Sequence, residues 1–197
     1  MLARETLVLA TSNAGKLKEF SRLLGERFAH YRTLADFDLP APDETGSTYA
    51  ANAKLKAVAC LKATGLPSLA DDSGLEVAAL DGAPGVHSAR YAEDPERRIE
   101  KLLIELETIG GADRDAKFVC VLALALPGAE VKLFHGECAG RILTQRRGTG
   151  GFGYDPIFLL PKNGKTMAEL SGEQKDRLSH RGRALGKLAK WLDEKGS

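Results

Sequence analysis

Leu7-Val8-Leu9-Ala10-Thr11 is a nearly continuous apolar run. It leads through a polar turn, Ser12-Asn13-Ala14-Gly15, into residues 16–24, where Leu17, Phe20, Leu23 and Leu24 recur at helical spacing. An apolar run without alternation belongs to a strand buried on both faces, which occurs where helices cover a sheet. A strand, a polar turn and a helix in that order direct the chain toward the α/β class.

The rest of the chain continues in this way. Pro40, Pro42 and Gly46 mark an irregular loop around Glu44-Thr45, and an Ala-rich stretch from Thr48 to about Thr64 reads as a second helix. Pro67 precedes a strand expected to end at Asp71, and Asp81 to Gly85 reads as a loop. Asp94-Pro95 is a helix start, an N-cap acid followed by proline, with Ile99, Leu102, Leu103 and Leu106 continuing the helix. Residues 118–126 and 131–138 predict two long strands joined in a hairpin at Pro127-Gly128. Ser171 and Gln174 have capping-box spacing, and a last helix is expected from about Arg183 to Leu192. The prediction is a single α/β domain, residues 1–197, with a central mixed β-sheet flanked by helices.

Composition excludes some functions. Lys plus Arg number 28 against 27 for Asp plus Glu, so the near-neutral chain lacks the basic excess that charge-driven binding to DNA or an anionic membrane requires. Cys60, Cys120 and Cys138 are odd in number and far apart, indicating neither zinc nor a disulfide framework. The opening residues carry an acid at Glu5 before a short apolar run, unlike a signal peptide, and no stretch approaches the roughly 18 apolar residues of a membrane span. A cytoplasmic protein is expected.

Asp71 and Asp72, followed by Ser73-Gly74, are expected to end a strand and turn, presenting acid oxygens at a sheet edge. Such oxygens suit a hard cation such as Mg²⁺, although the tetrapeptide alone is more often a solvated turn. At the first strand–helix junction, backbone N–H groups, the Thr11, Ser12 and Asn13 side chains and the Lys16 charge would seat a phosphate. The stretch is not a Walker A loop, and a capped helix with an exposed lysine would look the same. Gly148-Thr149-Gly150-Gly151-Phe152-Gly153 matches a dinucleotide fingerprint in letters only, because Tyr154-Asp155-Pro156 comes where a helix should open. The loop would present Phe152 and Asp155 to something planar and polar, or would tuck Phe152 into the core. Ser179-His180-Arg181-Gly182 offers several donors from one loop.

Taken in order, these segments resemble the inosine triphosphate pyrophosphatase (Ham1-like) family. The resemblance rests on residues 11–16, Glu44-Thr45-Gly46, Asn52 with Lys56, residues 70–75, Gly82-Ala83-Pro84-Gly85 with Ser88-Ala89-Arg90-Tyr91, residues 150–158, and residues 179–182. It implies hydrolysis of ITP, dITP and XTP to the monophosphate and pyrophosphate, which keeps deaminated purines out of DNA and RNA. It also implies Mg²⁺, an elongated fold with the active site in a central groove, and a homodimer.

Carried onto this chain, the resemblance makes Glu44 and Asp72 the Mg²⁺ ligands, and Asp72 with Lys16 the catalytic pair. Thr11, Ser12, Asn13, Ala14, Gly15, Lys16, Lys56, Asp71, Ser73, Phe152, Gly153, Tyr154, Asp155, Lys175, His180 and Arg181 would contact substrate. The chemistry is consistent with this. A triphosphate carries about four negative charges near neutral pH, so lysines and a cation are needed to hold it. A carboxylate with a pKa near about 4 is a feeble base, so cation and positioning must share the work. Asp72, or its neighbour Asp71, would orient the water that attacks the α-phosphorus. Donors from His180 and Arg181 suit the 6-oxo group of inosine and xanthine and clash with the amino group of adenine. On sequence alone, a phosphatase acting on another bond and a nucleotide-binding sensor remain alternatives.

Overall fold

The computed structural model describes residues 5–11, 14–110 and 113–196. The chain packs as two compact units. One comprises Met1–Asp72, Cys120–Gly136 and Gly182–Ser197; the other comprises Ser73–Val119 and Glu137–Arg181. Among the described residues, seven strands form a sheet in the order β2 (His30–Thr33), β1 (Thr6–Leu9), β3 (Ser68–Val77), β4 (Asp115–Ala125), β5 (Lys132–Ile142), β6 (Phe158–Leu160) and β7 (Lys165–Thr166).

In the first unit, β1 (Thr6–Leu9) pairs in parallel with β2 (His30–Thr33), Val8 opposite Arg32, and with β3 (Ser68–Val77), Leu9 opposite Leu69. Parallel pairs need crossover connections, and helices supply them: α1 (Ala14–Leu24) between β1 and β2, and α2 (Tyr49–Thr64) between β2 and β3. The core unites Leu7, Leu9, Leu69, Leu122 and Leu124 of the strands with Phe20 and Leu24 of α1. The last helix adds Leu185, Leu188 and Leu192 to it.

The α2 helix carries two of the polar side chains on which the candidate site depends. Thr48 caps its start by accepting the Ala51 N–H at 3.1 Å, and Gly65, in the left-handed region at φ 71°, closes its end. Its buried face is Tyr49, Asn52, Ala53, Lys56, Ala57 and Cys60, a continuous stripe at helical spacing that includes an amide and an ammonium.

The second unit has its own core. Asp94 caps α3 (Pro95–Thr108) through the Arg97 N–H at 2.9 Å. Ile99, Leu102 and Leu106 then pack with Leu75, Val77, Phe118 and Phe158. Strands β4 (Asp115–Ala125) and β5 (Lys132–Ile142) are sheet neighbours joined through a turn at Gly128, as the sequence predicts. β5 pairs antiparallel with β6 (Phe158–Leu160), which pairs antiparallel with β7 (Lys165–Thr166), so the sheet is mixed. The predicted capping box is present: Ser171 and Gln174 start α4 (Gly172–Leu178).

Two expectations are corrected. β3 does not stop at the aspartates: it runs through Asp71-Asp72-Ser73-Gly74 to Val77, between β1 and β4 rather than at a sheet edge. Both carboxylates are buried with cationic or amide partners, which removes the solvation that would have favoured a turn. The last helix, α5 (His180–Gly196), begins earlier than predicted and takes His180 and Arg181 into its first turn. The short strands β2, β6 and β7 lacked a periodic signal long enough to read. The three cysteines are buried and form no disulfide, and among the described residues no helix is long and apolar enough to cross a membrane.

Gly140, on β5, admits no side chain: a Cβ there would stand 2.5 Å from the Leu159 carbonyl oxygen and from the Phe158 ring. Gly140→Ala should therefore lower the urea midpoint, by about 1–3 kcal/mol of stability, the usual cost of overpacking. An unchanged midpoint would show that β6 yields freely.

Candidate active site

Two polar residues interrupt the buried stripe of α2, and both reach Asp72. Lys56 Nζ donates to Glu44 Oε1 at 2.7 Å and to Asp72 Oδ1 at 3.1 Å. Asn52, four residues earlier and so on the same helix face, donates from Nδ2 to Asp72 Oδ2 at 3.1 Å. Its Oδ1 accepts the Gly46 N–H at 2.7 Å, which fixes the irregular loop that carries Glu44. On the neighbouring carboxylate, Lys16 of α1 donates to Asp71 Oδ1 at 2.7 Å. The predicted residues thus fall into two neighbouring groups: Glu44, Lys56 and Asp72 share one network, and Lys16 pairs with Asp71 one residue earlier on β3.

The electrostatics are set by burial. Asp72 is 6% exposed; burial pushes its carboxyl above the ordinary range, while the Lys56 charge pulls the other way and Glu44 adds to the rise. For Lys56, burial opposes the charge, but Asp72, Asp71 and Glu44 outweigh it and hold the ammonium above its usual range. Lys56 is a fixed cation.

The donor set can be tested against a metal. Among the described residues no three His, Cys, Asp or Glu side chains converge as a ready metal cage. Glu44 and Asp72 nonetheless direct one hard oxygen each at a common cation, the Lys56 ammonium. Two carboxylates, the balance of ligands coming from water and phosphate, is the arrangement Mg²⁺ favours. Charge points the same way. Lys16 and Lys56 face three carboxylates, so these five side chains carry one net negative charge, and a triphosphate would be repelled without an added divalent cation. The residues fit Mg²⁺.

The remaining residues predicted to meet phosphate lie on or beside the same strands and helix. Thr11 comes just after β1, and its carbonyl accepts the Leu34 N–H at 3.4 Å. Ala14 and Gly15 open α1. Ser12 and Asn13 lie outside the described residues. Ser73 is next to Asp72 within β3.

A second cluster is built within the other unit. Phe152 is 58% exposed, so the alternative in which its ring fills the core is overturned. No α-helix opens after the glycines; Asp155–Ile157 form a 3₁₀ turn leading into β6. Buried Asp155 accepts the Phe152 N–H at 3.0 Å and the Lys175 ammonium of α4 at 2.6 Å, both on Oδ2. Lys175 Nζ lies 5.8 Å and the Arg181 guanidinium carbon 5.5 Å from the Phe152 ring centroid. His180 is buried with its ring stacked on Phe118, centroids 4.7 Å apart. The Tyr154 hydroxyl donates to the Ser88 carbonyl at 3.1 Å, and burial pushes this phenol up to about 12, so it remains a neutral donor. Gly153 adopts φ 58°.

Sequence reasoning gave no role to Asn52 or Ser88. Ser88 Oγ accepts the Leu75 N–H at 2.9 Å, just beyond the aspartates on β3, while its carbonyl holds Tyr154. The available signal for Asn52 was its helical spacing from Lys56 on an otherwise alanine-rich face.

Within the first unit, buried carboxylates braced by lysines suit a polyanion with its cation; within the second, an exposed aromatic ring flanked by cations suits a flat ring. Comparison with known proteins gives them a family. The Ham1 family model matches residues 7–191. A dITP/XTP pyrophosphatase of Gloeobacter violaceus is 54% identical over 183 residues, 92% of this chain and 91% of that one. One from Halalkalibacterium halodurans is 50% identical over 190 residues, 94% of this chain and 98% of that one. A HAM1 protein structure from Coxiella burnetii has a TM-score of 0.90 at 44% identity, covering 98% of this chain and all (100%) of the other. The chain belongs to the Ham1 family.

The Asp155–Lys175 pair leaves no room beside it. A Cβ on Gly151 would overlap the Asp155 carboxylate and stand 2.5 Å from Lys175 Nζ, and φ of 77° disfavours any other residue. Gly151→Ala should loosen the loop, and trypsin should cut after Arg146 or Arg147 several times faster while the overall melt changes little. Equal cleavage rates would mean the loop is held by something other than this pair.

Proposed function

We propose that the chain is a Mg²⁺-dependent nucleoside triphosphate pyrophosphatase. It hydrolyses ITP, dITP and XTP to the monophosphate and pyrophosphate, keeping deaminated purines out of nucleic acids. The observation that carries this reading is the buried Glu44–Lys56–Asp72 cluster, whose charge suits a polyphosphate accompanied by a divalent cation. The curated relatives named dITP/XTP pyrophosphatase support the substrate class. The family match runs across residues of both units, which supports reading 1–197 as one catalytic domain. Family likeness also favours a homodimer acting in the cytoplasm.

Mg²⁺ held by Glu44 and Asp72 would supply Lewis acidity and charge neutralisation at the phosphates. The protein's own groups do the rest. Asp72 orients a water for in-line attack on the α-phosphorus and accepts its proton. The new bond is from water oxygen to α-phosphorus; the bond to the bridging oxygen breaks, and pyrophosphate leaves. Lys16, Lys56 and Lys175 neutralise phosphate oxygens as charge moves to the leaving group. The Thr11–Gly15 segment and Ser73 contact the phosphates alongside Asp71. Phe152 stacks on the base, while His180 and Arg181, with the Gly153–Asp155 backbone, read its 6-oxo edge.

The deciding assay measures pyrophosphate and orthophosphate separately across ITP, XTP, dITP, GTP and ATP. Pyrophosphate from the first three is expected; orthophosphate alone would place the chemistry on another bond. EDTA should abolish turnover and Mg²⁺ restore it. Asp72→Asn should cut turnover at least roughly 10²-fold with the fold intact.

Stacking and hydrogen-bond readout separate in the base pocket. Phe152→Ala should weaken all purine triphosphates alike, by about 1–3 kcal/mol. Arg181→Ala should instead narrow the ITP-to-ATP ratio of kcat/KM, because it removes a donor for the 6-oxo group. An Arg181→Ala enzyme with its full ITP preference would move that readout to the loop backbone.

A further inference from the structure

We infer that Asn52 is a positioning residue for this reaction, one amide that sets both the Asp72 carboxylate and the loop bearing Glu44. This rests on Asp72 being the acting carboxylate. Asn52 is 0% exposed and sits on the buried stripe of a helix capped at both ends, so its side chain is carried by a rigid element. Its two bonds fix its orientation. Gly46 N–H can only donate and the Asp72 carboxylate can only accept, so Oδ1 must face Gly46 and Nδ2 must face Asp72.

The role cannot be passed to a similar residue. Aspartate keeps the acceptor for Gly46 but loses the donor and sets a like charge against Asp72. Leucine keeps the branched outline at a larger volume and loses both bonds. Glutamine moves the amide one methylene further, away from the positions that meet Gly46 and Asp72. The amide carries no charge, so it acts on geometry and leaves neutralisation to Lys56. Gly46 completes the joint: a Cβ there would lie 2.7 Å from Asn52 Oδ1 and 2.8 Å from the Ala51 Cβ. Glycine is required at 46 for close approach, so the same joint can be strained from either side.

The test uses the full chain and four variants: Asn52→Ala, Asn52→Leu, Gly46→Ala and Asp72→Asn. With ITP and Mg²⁺, kcat of the Asn52 and Gly46 variants should fall about 10- to 100-fold per folded molecule, the scale of a displaced or unsupported ligand. At saturating Mg²⁺, KM should stay near that of the parent, because the phosphate-binding lysines are untouched. A second readout needs no substrate. Mn²⁺ alone, titrated by electron paramagnetic resonance, should bind about tenfold more weakly to Asn52→Ala and Gly46→Ala as the Glu44 loop loses its anchor. Thermal melts report the folded fraction of each variant. A lower melting temperature with parental kcat and parental Mn²⁺ affinity would make Asn52 a structural residue only and overturn the inference. If Asn52→Ala fails to fold, Gly46→Ala decides by the same two readouts. Parental turnover in Asp72→Asn would overturn the reading of the site itself, and this inference with it; an inactive Asp72→Asn beside unaffected Asn52 and Gly46 variants overturns only the latter.

Discussion

A carboxylate on a strand in the middle of a sheet has to be answered by a partner, and much of the first unit is arranged to answer Asp72. An unpaired charge there would cost several kcal/mol or simply take up a proton. The Lys56 ammonium and the Asn52 amide meet one oxygen each. Both come from α2, which is why that helix turns a mixed apolar and polar stripe toward the interior rather than a purely apolar one. Glu44 is then drawn in from a loop with no regular structure of its own, by Lys56 directly and by Asn52 through Gly46.

Stability does not require this arrangement. A buried ion network commonly adds nothing over well-packed apolar residues of the same volume. Each unit already has an apolar core, one built around Leu7, Leu122 and Leu188 and the other around Leu75, Leu102 and Phe158. Keeping three carboxylates and two lysines together is therefore a cost borne by the fold, and costs of that kind mark functional sites.

The α/β class was legible because its signals are local: an unbroken apolar run, helical periodicity, and caps at Asp94 and Ser171. What escaped was decided at a distance. Asp-Asp-Ser-Gly is turn chemistry when read locally, yet it forms part of a strand because Lys16, Lys56 and Asn52 reach the aspartates from elsewhere in the chain. Phe152 was undecidable for a similar reason. Its exposure depends on Asp155 gripping the Phe152 amide and Lys175 at once, and spacing does not reveal such a grip. The expected site residues came as an ordered set of segments through family likeness; Asn52 and Ser88 lie in those segments, but the bonds they make show only in the geometry.

Each lysine expected to meet phosphate already holds a carboxylate: Lys16 with Asp71, Lys56 with Asp72 and Glu44, and Lys175 with Asp155. Three unpaired lysines would bind any polyanion and release it slowly. Pairing lowers the field each one projects, so a phosphate oxygen must compete with a carboxylate already in place. The contest is won most readily when a divalent cation takes over the carboxylates and leaves the ammonium groups to the phosphates. On the proposed reading, the carboxylates would make binding conditional on metal and nucleotide together. The same pairing holds the ammonium groups in position beforehand, so on the proposed reading little reorganisation would remain as charge shifts to the leaving group.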